Sequence, residues 1–164
     1  MKKTKIAIVP GSFDPITYGH IDIVKRALLE YDKVFLAVMI NSSKQYMFTL
    51  EERREIAKAA LSKIENVEVI SSDGMLWQLA KDLGAVAIVK GYRNEKDLAY
   101  EEEMARYNLA HNPNAPTQLL QSSEKLVSLS STAVRERILS GLSLTGYLPE
   151  KAIALIEKIR SERA

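Results

Sequence analysis

The chain has no cysteine among its 164 residues. That excludes a disulfide framework, a thiolate metal site and a cysteine nucleophile, and the fold needs no oxidising compartment. No apolar run approaches the ~20 residues of a membrane span. There is no large charge excess either. The 23 basic side chains face 21 acidic ones, and a net charge of +2 is too small to argue for non-specific nucleic-acid binding. Repeats, low-complexity tracts and Gly/Ser-rich linkers are missing. So are G-x-G-x-x-G and G-x-x-x-x-G-K-[ST], which excludes the standard dinucleotide fold and the P-loop. The charged start Met1-Lys2-Lys3 is followed by only Ile6-Ala7-Ile8-Val9 before Pro10. A secretory signal needs ~7–15 apolar residues, so the reading is a first strand and a cytoplasmic protein.

What is present is ordinary for a globular chain: 46% hydrophobic and 27% charged residues. At ~150 residues per domain, residues 1–164 make one domain, large enough to bury roughly two-thirds of its unfolded surface. Short apolar runs at residues 6–9, 34–40, 67–70, 85–89 and 118–120 suit strands buried on both faces. Helical periods lie between them. Ile21, Val24, Ala27 and Leu28 mark one. Ile56, Ala59, Ala60 and Ile64 mark another, opened by a capping box at Thr49 and Glu52. Residues 76–83 and 96–112 give two more, the first closed by Gly84. Two further helices follow, from Ser131 to Ser140 and from Pro149. The expectation is a single-domain α/β, Rossmann-like fold. It has a five-stranded parallel sheet, helices on both faces and C-terminal helices. Such sheets bind ligands beyond the carboxyl ends of their strands, which directs attention to the loops at 10–19, 41–48, 71–75, 90–95 and 121–131.

Those loops hold the unusual residues. The first carries Gly11-Ser12-Phe13-Asp14-Pro15 and then Gly19 and His20 at a helix start, where free N–H groups suit phosphate. The second holds Lys44, and the fourth holds Lys90-Gly91-Tyr92-Arg93. The last brings Ser130 and Ser131 to another helix start. Taken singly, each has a bland reading as a cap, a turn or a solvated cation. Together they put two helix N-termini, one histidine and two or three cations above one sheet, with few acidic residues. That pattern suits a polyphosphate.

Gly11-Ser12-Phe13-Asp14-Pro15-Ile16-Thr17-Tyr18-Gly19-His20-Ile21-Asp22-Ile23 resembles the [T/H]-x-G-H signature of the nucleotidylyltransferase superfamily. Ser130-Ser131-Thr132-Ala133-Val134-Arg135 resembles its second signature. Met47-Phe48-Thr49-Leu50-Glu51-Glu52-Arg53, Ser43-Lys44, Gly91-Tyr92-Arg93 and Tyr100-Glu101 add a likeness, over essentially the whole chain, to the bacterial phosphopantetheine adenylyltransferase family. The resemblance implies that ATP and 4′-phosphopantetheine give dephospho-coenzyme A and pyrophosphate, with Mg²⁺, in coenzyme A synthesis, by a homohexamer. It implies catalytic roles for His20, Lys44 and Arg93. ATP contacts would be Ser12, Phe13, His20, Gly91, Tyr92, Arg93 and Glu101, with Leu126, Val127, Ser128, Leu129, Ser130, Ser131 and Thr132. Contacts to 4′-phosphopantetheine would be Ser12, Lys44, Leu76 and Lys90. No protein ligands to a metal are implied. Lys90 departs from the arginine common in relatives and loses its planar two-point grip on phosphate.

Two other readings stay open at this point. Nicotinamide mononucleotide adenylyltransferases and cytidylyltransferases share both signatures and differ in the acceptor pocket. A non-catalytic nucleotide sensor on the same fold is also compatible, although it has no need to keep both His20 and Lys44.

Overall fold

A computed structural model describes residues 3–163. The sheet consists of β1 (Ile6–Gly11), β2 (Lys33–Met39), β3 (Val67–Ser72), β4 (Ala87–Tyr92) and β5 (Thr117–Gln121). All its pairings are parallel, in the order β3-β2-β1-β4-β5. Helices α1 (Tyr18–Leu28), α2 (Leu50–Ala60), α3 (Leu76–Asp82) and α4 (Glu95–His111) form the crossovers, and α5 (Ser131–Leu139) and α6 (Glu150–Arg163) follow the last strand. The expected α/β architecture, with five parallel strands and C-terminal helices, is what the chain adopts. Among the described residues no helix is long and apolar enough to cross a membrane.

Successive strand residues point to opposite faces, and the two cores divide accordingly. Ala7, Val9, Val34, Leu36, Val38, Ala87 and Val89 pack with α1, α2, α5 and α6. Ile8, Phe35, Ala37 and Ile88 meet the smaller cluster around Leu76, Leu79 and Ala80 of α3. Helix α4 adds little to either core. Its one buried residue is Asn108, and Tyr100, Tyr107 and Leu109 are exposed.

Strand register makes the site. β1 stays paired with β2 from Ile6 to Gly11, but with β4 only at Ala7↔Ala87 and Ile8↔Ile88. Beyond that point the central strands part. Pro10 has no N–H with which to extend a ladder. The split falls where the crossovers change direction, the place at which open α/β sheets bind ligands.

Several boundaries differ from the sequence reading: β1 reaches Gly11, β3 reaches Ser72 and β5 reaches Gln121, beyond the expected 6–9, 67–70 and 118–120, and the fourth strand and second helix differ most. The fourth strand runs from Ala87 to Tyr92 rather than over 85–89. Ala85 and Val86 still belong to the turn, with the Ala85 N–H bonded to the Ala80 carbonyl. Lys90 and Gly91 therefore lie within β4, paired with Leu119 and Leu120, and are not loop residues. A lysine among apolar residues hid this extension. Helix α2 ends at Ala60, so Ile64 lies beyond it. Its buried face is Arg53, Ile56, Ala57 and Ala60.

Candidate active site

Two cavities open where β1 and β4 diverge, of about 350 and 320 Å³. They share a wall made by Pro10, Gly11, Ser12, Lys44, Lys90 and Glu101. The first is closed by α1, the Glu124–Leu126 turn and the start of α5. It holds Phe13, His20, Gly91, Arg93, Leu126, Val127, Leu129, Ser130, Ser131 and Thr132. The second runs between α3 and α4 and is more apolar, with Met75, Leu76, Met104 and Ala105 beside Asn108 and Thr117. All of the sequence-derived candidates reach one cavity or the other except Tyr92 and Ser128, which line neither.

His20 is oriented by its own helix start. Thr17 is the N-cap of α1, and its hydroxyl accepts the Gly19 N–H at 3.1 Å. In return the Thr17 N–H donates to His20 Nδ1 at 3.0 Å, so the ring takes the glutamate position of a capping box. A nitrogen that accepts carries no proton, which leaves Nε2–H as the donor. The ring is neutral. Burial first, then the positive charges of Lys90 and Arg93, lower its pKa from 6.5 to about 4. The Phe13 ring stands edge-on to it, 5.0 Å between centroids. Phe13 adopts a positive φ of 47° and packs its ring over Gly11, where a Cβ would come within 2.9 Å of it. That ring is buried, so Phe13 offers a ligand its backbone.

The cations differ in how they are held. Lys90 pairs with Glu101 at 3.5 Å and Arg93 with Asp97 at 3.1 Å, so α4 supplies a carboxylate to each. Arg135, the last residue of the second signature, donates to the Asp14 carbonyl at 2.8 Å. Lys44 has no carboxylate partner among the described residues. It sits in the shared wall, on the loop between β2 and α2. An ammonium without a carboxylate partner at the boundary of two cavities suits phosphates arriving from both sides.

Sequence reasoning missed the parts that hold this loop. The Asp14 carboxylate, 3% exposed, accepts the N–H groups of Met47 and Phe48 at 2.9 and 3.0 Å. Arg53, 1% exposed, donates to the carbonyls of Ser12, Met39 and Phe48. Arg163 near the end of α6 donates to the Met47 carbonyl at 2.9 Å and pairs with Glu52. Ser131 binds the first loop as well, its hydroxyl donating to the Pro15 carbonyl at 2.8 Å. The one available signal was Arg53 itself, which shares a helical face with Ile56, Ala57 and Ala60.

Residues 8–137 match the cytidylyltransferase-like family model. Three similar proteins, each called a phosphopantetheine adenylyltransferase, align over nearly their full lengths. The one from Caldanaerobacter subterraneus subsp. tengcongensis is 43% identical over 95% of this chain and 98% of its own. The one from Lactobacillus acidophilus is 43% identical over 96% and 99%. The one from Streptococcus pneumoniae strain JJA is 39% identical over 97% of each. By family model and by full-length relatives, the chain belongs to the phosphopantetheine adenylyltransferase family within the cytidylyltransferase-like proteins.

Proposed function

We propose that the protein transfers the adenylyl group of ATP to 4′-phosphopantetheine, releasing pyrophosphate and forming dephospho-coenzyme A, a step of coenzyme A biosynthesis. The observation that carries this reading is the pair of adjoining cavities with a cationic shared wall. One is polar and closed by two helix starts; the other is a more apolar channel suited to a flexible amide-and-thiol arm.

The chemistry asks for little beyond placement and charge. A phosphate monoester has a second pKa near ~6 and is largely dianionic at neutral pH, so its oxygen attacks the α-phosphorus without a general base. Pyrophosphate leaves with the electron pair of the broken bond. His20 Nε2–H, fixed by the Thr17 amide, donates to a non-bridging oxygen of the α-phosphate as charge grows there. Lys44 offsets the repulsion between two polyanions. Arg93 serves the triphosphate, and Lys90 and Leu76 hold the acceptor's phosphate and arm. Adenine is read by backbone groups of residues 126–130.

Mg²⁺ enters this reading on the triphosphate, as part of the substrate. Among the described residues no three His, Cys, Asp or Glu side chains cluster to hold a metal. The carboxylates of Asp97 and Glu101 are engaged by Arg93 and Lys90. A magnesium ion held mainly by phosphates and water fits that setting, and it supplies charge neutralisation. The same reading carries a cytoplasmic homohexamer. The exposed Tyr100, Tyr107 and Leu109 of α4 support subunit contact there.

The test is pyrophosphate release with Mg·ATP and three acceptors: 4′-phosphopantetheine, nicotinamide mononucleotide, and pantetheine without its phosphate. Release with the first alone is expected. Release with nicotinamide mononucleotide overturns the acceptor, and ATP binding without any release overturns the reaction. His20→Ala is expected to lose ~10²–10³ in turnover with a smaller change in substrate binding. Equal losses in both would remove His20 from the transition state.

A further inference from the structure

We propose that Arg53 is a positioning residue for adenylyl transfer: it ties the Ser12 loop to the Lys44 loop and so fixes the spacing of the two segments that both substrates touch. The inference rests on the reaction proposed above and adds a residue that touches neither substrate cavity.

The geometry is specific. Arg53 Nη1 donates to the Ser12 carbonyl at 2.7 Å and to the Met39 carbonyl at 3.0 Å. Its Nε donates to the Phe48 carbonyl at 3.2 Å. Met39 ends β2 and Phe48 immediately precedes the N-cap of α2, so one guanidinium grips both ends of the loop that bears Lys44. It also grips the middle. The guanidinium lies 3.9 Å over the ring of Tyr46. The Tyr46 hydroxyl accepts the Asn41 N–H at 2.7 Å, and the Asn41 carbonyl accepts the Lys44 N–H at 3.0 Å. A chain of direct contacts thus runs from the Ser12 backbone through Arg53 and Tyr46 to the Lys44 backbone.

A core-filling role does not account for this arrangement. The face shared with Ile56, Ala57 and Ala60 is apolar, and an aliphatic side chain fits it without the cost of burying a charge. Burial lowers the Arg53 pKa, while Tyr46 and Asp14 nearby act the other way. The guanidinium remains charged. Its planar fork serves three carbonyls on separate segments, which one ammonium does not. The partners are all backbone, so what Arg53 fixes is the position of chain.

The test uses the full chain carrying Arg53→Lys or Tyr46→Phe, with Ile56→Val as a packing control on the same helix. Hydrogen exchange of residues 41–46 and steady-state rates are measured together. The expected result for Arg53→Lys is a folded protein whose 41–46 amides exchange faster. Its kcat should fall ~10²-fold, the scale of a 1 Å misplacement, with little change in KM. Tyr46→Phe keeps the ring under Arg53 and loses only the hydroxyl, so it should fold even if Arg53→Lys does not, and move both readouts the same way by less. Ile56→Val should move neither. Unchanged exchange over 41–46, or unchanged kcat, in the folded variants overturns the inference. Absence of pyrophosphate release from the unsubstituted protein overturns the reaction instead, and the exchange readout then decides on Arg53 alone.

Discussion

The pH dependence of His20 follows from the geometry of one helix start. The perturbation is acid, and the group of interest is one of only two histidines in the chain. In the unfolded chain an imidazole titrates near 6.5; in the fold the pKa is about 4, because burial and the cations Lys90 and Arg93 disfavour the charged ring. The unfolded state therefore binds more protons than the native state between those values. His20 contributes its stability in full above about pH 6.5, and that contribution is lost as pH falls towards 4. The shift corresponds to a loss of at most about 3 kcal/mol across the window. At pH 7 about one ring in a thousand is protonated. Two assays check this. Imidazole ¹⁵N spectra, assigned with His111→Gln, should show His20 protonated on Nε2 at neutral pH, with a midpoint near 4. Denaturant unfolding from pH 7 to 4 should show His20→Gln losing less stability than the unsubstituted protein. A His20 midpoint near 6.5, or a proton on Nδ1, would refute the reasoning. The first result would mean that burial and the neighbouring cations do not disfavour the charged ring; the second, that the Thr17 amide does not hold the tautomer.

Two further predictions separate structure from binding. Asp14→Asn keeps the shape but turns one of two acceptors for the Met47 and Phe48 amides into a donor. It should cost about 1.5–3 kcal/mol in denaturant unfolding, as charge-assisted bonds do, and a cost below ~0.5 kcal/mol would show that those bonds carry little. Lys90→Met removes an ion pair whose side chains are 27% and 14% exposed and leaves the Glu101 carboxylate without its cation, at a cost to the fold of about 1–3 kcal/mol. It should also raise the KM for 4′-phosphopantetheine by roughly tenfold or more while that for ATP changes less; an equal rise for both would place Lys90 on the triphosphate.

The alternation of strands and helices was legible because each strand is a short apolar run with turn residues at its ends. The exception is instructive. β4 carries Lys90 and Gly91 within its paired length, where the run of apolar residues has already stopped. A strand that borders a site trades apolar side chains for functional ones at its carboxyl end, and hydropathy truncates it there. Helix α4 shows the opposite effect, since its apolar residues suggest burial and Tyr100, Tyr107 and Leu109 stay exposed.

The site divides in the same physical way. The residues legible in the sequence are those whose side chains line the cavities: His20, Lys44, Lys90 and Arg93. Their identities matter to a phosphate, and a signature records them. The residues that hold them in place were missed, because they act on backbone. Asp14 serves two amides and Arg53 three carbonyls. Every residue except proline offers the same amide, and every residue the same carbonyl, so nothing at Met47, Phe48, Met39 or Ser12 marks them as partners. Such a clamp leaves a single trace, the clamping residue itself in a place its polarity does not suit. Arg53 leaves that trace at the first position of the buried face of α2, where the helical period calls for an apolar side chain.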